Sequence, residues 1–269
     1  MSDLAKPLIF LGGALRSGLL VARAMLDSHP NISCGPDLRL TPAFALQWQE
    51  LNRSNVEVNA KFTGVEPDSV RAAFAGVLND VLITRAKSHG KRIAADKTPA
   101  NVIAFKALHA LFPDAILVHV VRDARDVVAS LLKRNWTDPA KNAPYPYTRN
   151  HRAAAELWTQ MATKGIEAAS DPSLRTRLIV LKYEDLVRDP KAALRLLLER
   201  AGESFEEKML EFHRGKLDLI GLELDSKKNI AAPLHSKNIG KWRKILSATQ
   251  AKDIAPVIAP AMTALGYRL

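Results

Sequence analysis

The stretch that most constrains this chain is residues 7–42, PLIFLGGALRSGLLVARAMLDSHPNISCGPDLRLTP. Residues 7–11 are a short apolar run of the kind a buried parallel strand needs. Gly12, Gly13 and Ala14 break that run, Arg16-Ser17-Gly18 fall where the chain must turn, and residues 19–27 follow as a helix. A strand, a tight turn with a cation and a hydroxyl, and a helix N-terminus together make an anion pocket. Free backbone N–H groups and the positive end of the helix dipole aim at one spot. The stretch closes on an acid, Asp37, near a second cation, Arg39. It reads as a phosphate-binding loop followed by a candidate general base. The order Gly-Gly-Ala-Leu-Arg-Ser-Gly is not a Walker A motif, which needs lysine before Ser/Thr, but an arginine can bridge two phosphate oxygens. Taken alone, the turn fits an ordinary strand-to-helix connection with an exposed arginine equally well.

The rest of the chain alternates in the same way. Residues 42–53 are predicted helical and 54–67 polar and irregular. Residues 69–88 form an amphipathic helix with Val70, Phe74, Val77, Leu78, Val81 and Leu82 on one face. Residues 91–95 are a short strand ending at Asp96-Lys97-Thr98-Pro99, and Thr98-Pro99 opens a helix running to Leu111. Residues 115–121, AILVHVV, make the clearest strand, apolar enough to be central and covered on both faces. A helix over 126–134, a long loop over 135–148, a helix over 152–169, a strand over 178–183 and a helix over 189–201 follow. Residues 203–238 are mixed and polar, and the tail helix over 248–265 should be kinked or broken at Pro256 and Pro260. The alternation predicts an α/β fold, a central mostly parallel sheet flanked by helices, in one domain over residues 1–269.

The 47% hydrophobic content of 269 residues can fill a core of that size. The charge says more: 39 Lys+Arg against 28 Asp+Glu give +11, a field suited to polyanions, phosphorylated cofactors or acidic peptides. The single cysteine, Cys34, excludes an internal disulfide. The N-terminus has no leader pattern, and no run reaches the roughly 18 apolar residues of a membrane helix, so a cytoplasmic protein is expected.

Three further constellations carry anion chemistry. In VVRDARDVVASLLKR, Arg122 lies at the end of the central strand, where α/β sheets hold ligands, and Ser130 and Arg134 share a helix face four residues apart. Lys97, in Asp96-Lys97-Thr98-Pro99, sits at another strand end. Ile239-Gly240-Lys241-Trp242-Arg243 is a basic-aromatic segment that fits a phosphate contact and a purely structural role equally well. The seven histidines show no metal-ligand spacing, and His119, inside the strand, is expected to be a satisfied core residue. There is no nucleophile elbow and no CxxC, so metal chemistry and acyl transfer drop out.

Together these residues resemble the sulfotransferases that use 3′-phosphoadenosine 5′-phosphosulfate (PAPS), most closely the protein-tyrosine sulfotransferase branch. The resemblance runs through LIFLGGALRSG, ARAMLDSHPNISCGPDLR, DKTP, LFPDAILVHVVRDARDVVASLLKR, LKYEDLV, Ser226 and Gly240-Lys241-Trp242 to IAPAMTALGY. It implies a single-domain, three-layer P-loop-like fold. It places the 5′-phosphosulfate on Arg16, Ser17, Gly18 and the following Leu19 and Leu20, and Lys241 helps elsewhere along the cofactor. The 3′-phosphate falls to Arg122, Ser130 and Arg134 beside Tyr183. Asp37 becomes the base that takes the acceptor proton, and Lys97 and Ser226 stabilise charge on the sulfuryl oxygens and leaving phosphate. The implied product is 3′-phosphoadenosine 5′-phosphate (PAP), with no metal required. The implied partner is an acidic tyrosine-containing peptide or protein, met in part by Arg39; no nucleic acid or membrane is implied, and a homodimer is left open.

Departures from that pattern are specific. Leu19 and Leu20 stand where the family's turn carries two threonines, the base is Asp rather than Glu, and Ala43 replaces the next expected arginine. They keep alternatives in view: sulfation of a small phenol, alcohol or carrier-bound metabolite, or a cofactor-binding pseudoenzyme. A nucleic-acid binder is disfavoured because the basic residues gather at strand ends without interleaved aromatics.

Overall fold

A computed structural model describes residues 7–215 and 224–269; the N-terminal residues 1–6, read above as carrying no leader, and 216–223 of the polar segment lie outside the described residues. The first strand, β1 (Ile9–Gly12), leads into α1 (Leu19–Ser28), then β2 (Ile32–Cys34), α2 (Leu40–Thr63) and α3 (Pro67–Ser88). The chain continues through β3 (Ile93–Lys97), α4 (Asn101–Leu111), β4 (Ile116–Val121) and α5 (Ala124–Leu131). A two-stranded hairpin, β5 (Thr137–Asp138) with β6 (Ala143–Pro144), precedes α6 (His151–Ser170), β7 (Leu178–Lys182), α7 (Tyr183–Arg188) and α8 (Pro190–Ala201). α9 (Leu224–Ile230) and α10 (Ala248–Ala264) complete the order.

Five strands pair side by side in the order β2-β3-β1-β4-β7, and every pairing is parallel. β1 lies at the centre, with Leu11 opposite Lys97 of β3 and Val118 of β4. Apolar residues on successive positions of a strand point to opposite faces, so each face has its own core. Leu8, Phe10, Leu117 and Val121 pack with α2 to α6 and α10, while Ile9, Leu11, Val118 and Val120 pack with α1, α7 and α8. The chain leaves β1 toward β2 on one side and leaves β4 toward β7 on the other. A crevice therefore opens at the carboxyl ends of these neighbours, the place where such sheets hold ligands.

Several elements differ from the sequence reading, each for a physical reason. α2 runs on to Thr63, because residues 54–63 are polar but contain no Pro or Gly to stop a helix before Gly64. On α3 only Leu78 and Leu82 of the expected face are buried, whereas Val77 and Val81 are exposed on an adjacent stripe. The loop after Arg134 contains the small hairpin. α10 runs unbroken through Pro256 and Pro260. Both prolines lie four residues apart on its exposed face, so the carbonyls they leave unbonded reach water while Ile254, Ile258, Ala261 and Met262 pack inward. Among the described residues no helix is long and apolar enough to cross a membrane.

Candidate active site

The turn after β1 is built on glycine. A Cβ on Gly13 would lie 2.2 Å from the Val120 main-chain oxygen, and one on Gly18 would lie 2.5 Å from the Tyr183 ring. Gly13, Gly18 and also Arg16 adopt positive φ, so the loop curls back over the ends of β1 and β4. Gly18 is the N-cap of α1 and offers no side chain to the first-turn amides, which stay available to an anion. Leu19 is buried among β1, β2 and β4 side chains and Leu20 packs against the same core. Both can contribute only their backbone N–H groups to this turn.

Arg16 gathers distant parts of the chain. Its Nε donates to Ser130 Oγ at 3.1 Å and its Nη1 to Ser226 Oγ at 3.1 Å, joining the loop to α5 and α9. Arg122, at the carboxyl end of β4, donates through Nη1 to the Arg16 main-chain oxygen (3.3 Å) and through Nη2 to that of Asn238 (2.5 Å). Its guanidinium lies 4.5 Å above the Tyr183 ring, and the Trp158 indole N–H holds its main-chain oxygen at 3.2 Å. Tyr183 is the first residue of α7 rather than the last of a strand, and burial raises its phenol pKa against the pull of Arg122. Arg134 falls after α5, not on it. It folds back, with its amide donating to the Leu131 oxygen at 2.8 Å and its Nε to the Ser130 oxygen at 3.3 Å, so it still stands beside Ser130. Lys241 opens a helical turn over Lys241–Lys244; it is exposed and donates to Asn238 Oδ1 at 3.4 Å.

The second half of the site lies across β1. Lys97 ends β3 with its side chain buried, and its ammonium contacts the Asp37 carboxylate, which is 44% exposed. Burial, with the Arg23 charge, pulls the Lys97 ammonium down to about 8. Arg39 is exposed two residues beyond Asp37. A buried lattice holds this pair in place. Asp96 accepts from Thr98 Oγ1 (3.2 Å) and Asn101 Nδ2 (2.7 Å), Thr98 Oγ1 accepts from the Leu38 amide (2.9 Å), and Asn101 Nδ2 also reaches the Leu11 oxygen (3.1 Å). Burial pushes the Asp96 carboxyl up to about 6 despite those bonds.

The structure thus brings Arg16, Ser17, Gly18, Arg122, Ser130, Arg134, Tyr183, Ser226 and Lys241 around one end of the crevice and pairs Lys97 with Asp37, leaving Arg39 exposed two residues further along. Arg85 was not legible in sequence: it reaches from α3 to cover Gly35, where an added Cβ would lie 2.6 Å from its Nε. That Nε is buried without a hydrogen-bond partner among the described residues, and Gly35 lies two residues before Asp37. Only the absence of a side chain at Gly35 could have hinted at it. His119 is buried as expected but not satisfied, since its Nδ1 has no partner. Its ring is pressed against Gly165 of α6, and burial lowers its pKa to about 4.

The comparisons with known proteins agree with this architecture. The family model described as Sulfotransferase family matches residues 7–207. Protein-tyrosine sulfotransferase 1 of Danio rerio is 29% identical over 271 residues, covering 97% of this chain and 72% of that protein. The sulfotransferase domain from the Synechococcus PCC 7002 olefin synthase has a TM-score of 0.67 at 22% identity, covering 100% of this chain and 98% of its own. Mouse sulfotransferase SULT7A1, solved in complex with PAP, has a TM-score of 0.53 at 14% identity over 95% of this chain and 84% of that one. At those identities the two structures speak for the fold, and the family model, which spans most of the chain, speaks for descent. The chain belongs to the sulfotransferase family.

Proposed function

We propose that the chain transfers a sulfuryl group from PAPS to a hydroxyl acceptor, the tyrosine of an acidic peptide or protein, and that residues 1–269 do so as one domain. The observation that carries this reading is a pair of buried polar atoms without partners among the described residues, Ser17 Oγ and Arg122 Nε. Buried polar groups are almost always hydrogen-bonded, so two such atoms in one basic crevice fit a polyanionic ligand. Arg16, Ser17, Gly18 and the amides of Leu19 and Leu20 would hold the phosphosulfate end. Arg122, Ser130 and Arg134, with Tyr183 below and Lys241 at the rim, would hold the 3′-phosphate.

The bound donor supplies the sulfuryl group. Asp37 takes the proton of the acceptor hydroxyl, work that is typically worth roughly 10²–10⁴-fold. Lys97 pairs with that carboxylate and, being protonated at neutral pH, presents N–H donors to developing negative charge. Arg16 and Ser226, already hydrogen-bonded to each other, add donors that need no reorganisation when charge moves. The acceptor assignment is supported by the name of the Danio rerio relative. Arg39 and Arg85, flanking Asp37, favour acidic residues beside the tyrosine.

The donor assignment is tested by thermal melting with PAP. Wild type should gain several degrees at saturating PAP, as any ligand that binds only the folded state must produce, and Arg122→Ala should gain none. A wild-type melting curve unmoved by PAP overturns the assignment.

A further inference from the structure

We propose that Asp126 is a positioning residue for the donor site, holding the turn over residues 238–242 against Arg122 so that the 3′-phosphate meets a preset pair of cations. The inference rests on the donor reading given above and adds a residue to it.

Asp126 is only 2% exposed and lies in the first turn of α5, four residues after Arg122. Its Oδ2 accepts from the Gly240 amide at 2.7 Å and its Oδ1 from the Trp242 amide at 2.9 Å. One carboxylate therefore grips the backbone on both sides of Lys241. The same Oδ2 lies 3.7 Å from Arg122 Nη2, which itself donates to the Asn238 oxygen. A buried carboxylate is costly unless its lone pairs are filled, and here two amides and a guanidinium fill them. The left-handed conformation of Gly240, at φ 71°, bends the turn so that both amides face α5. The Arg125 and Arg243 guanidiniums each lie over the Trp242 ring, at 4.7 Å and 4.6 Å from its centre.

The consequence is preorganisation. Without the Asp126 carboxylate, two amides lose their acceptor, the turn carrying Lys241 and Asn238 loosens, and Arg122 loses the carbonyl that fixes its Nη2. Each group would then have to be ordered when the phosphate binds, and that cost is subtracted from affinity. The loss falls on the 3′-phosphate, because Ser17 and the amides of α1 are held by other parts of the fold.

The test is calorimetric titration of the full chain, as wild type, Asp126→Asn and Asp126→Ala, with adenosine 3′,5′-bisphosphate and with adenosine 5′-monophosphate. Wild type should prefer the bisphosphate. In Asp126→Ala that preference should fall about tenfold, with 5′-monophosphate affinity changed by less than about threefold, and Asp126→Asn should lie between. If the alanine variant does not fold, the near-isosteric asparagine variant is judged by the same ratio. An unchanged preference, or equal weakening of both nucleotides, overturns the inference and makes Asp126 a fold stabiliser only. A wild type with no preference for the bisphosphate overturns the donor reading itself, and the inference with it.

Discussion

Arg16 Nη1 donates to Ser226 Oγ at 3.1 Å across 210 positions of sequence, while its Nε holds Ser130 Oγ at the same distance. One arginine thus couples the turn after β1 to α5 and α9. Removing a preset donor aimed at developing charge typically lowers turnover by about 10²-fold or more. Ser226→Ala is expected to lower kcat by about that factor while PAP affinity moves less than about threefold. Initial rates and a PAP titration on the same preparation check both halves.

Lys97 gives the reaction a pH signature. Burial and the Arg23 charge bring its ammonium down to about 8, and the protonated form is the one that pairs with Asp37 and donates. The rate is expected to fall as pH rises through about 8. Lys97→Arg, slower overall but permanently charged, should lose that alkaline fall. Unfolding would not explain it. The folded pKa is depressed below the ordinary 10.5, so the unfolded chain holds this proton more tightly and the contribution of Lys97 to stability rises between about 8 and 10.5. A profile of kcat against pH for both proteins decides the point.

Arg85 covers Gly35 with its Nε unpartnered, beside the Asp37 loop. A half-buried guanidinium beside that loop is well suited to a carboxylate of the acceptor. Arg85→Ala is expected to raise KM about tenfold for a tyrosine peptide with flanking Asp or Glu and to leave a neutral tyrosine peptide nearly unchanged. Steady-state kinetics on the two peptides measure the difference.

His119 predicts how the fold responds to acid. Burial lowers its pKa from 6.5 to about 4, so its contribution to stability is complete above the ordinary value and is lost as pH falls from about 6.5 toward 4. Replacing it with an uncharged side chain, His119→Gln, should flatten that part of the acid limb by on the order of 3 kcal/mol. Urea midpoints between pH 7 and 4.5 for the two proteins measure it. Parallel curves would mean that His119 does not titrate in this range.

The parts of the site that could be read from sequence are those where local pattern and function coincide. β1 and β4 announce themselves as apolar runs because both faces are covered, and Arg122 stands out because a cation directly after such a run has no packing reason to be there, whereas Arg16, in the turn four residues past β1, is equally consistent with an exposed connection until its partners are seen. What could not be read depends on partners far apart in the chain. Asp126 looks like an ordinary first-turn acid of α5, and only the fold brings Gly240 and Trp242, more than a hundred positions away, onto its two oxygens. Arg85 looks like the exposed end of α3 until Gly35 is placed beneath it. The end of α2 is not legible because residues 54–63 are polar and carry no apolar period, and the place of Arg134 beyond α5 is not legible because a four-residue spacing cannot show that the helix has already ended.

The central claim is tested most directly by following radiolabelled sulfate from PAPS onto a panel of acidic tyrosine peptides, neutral tyrosine peptides and small phenols, with wild type and Asp37→Asn. The account predicts label on the acidic tyrosine peptides with wild type. It predicts at least about 10²-fold less turnover in Asp37→Asn, with PAP affinity unchanged. Label on no tyrosine peptide would contradict the proposed acceptor, and full turnover in Asp37→Asn would contradict the assignment of Asp37 as the base.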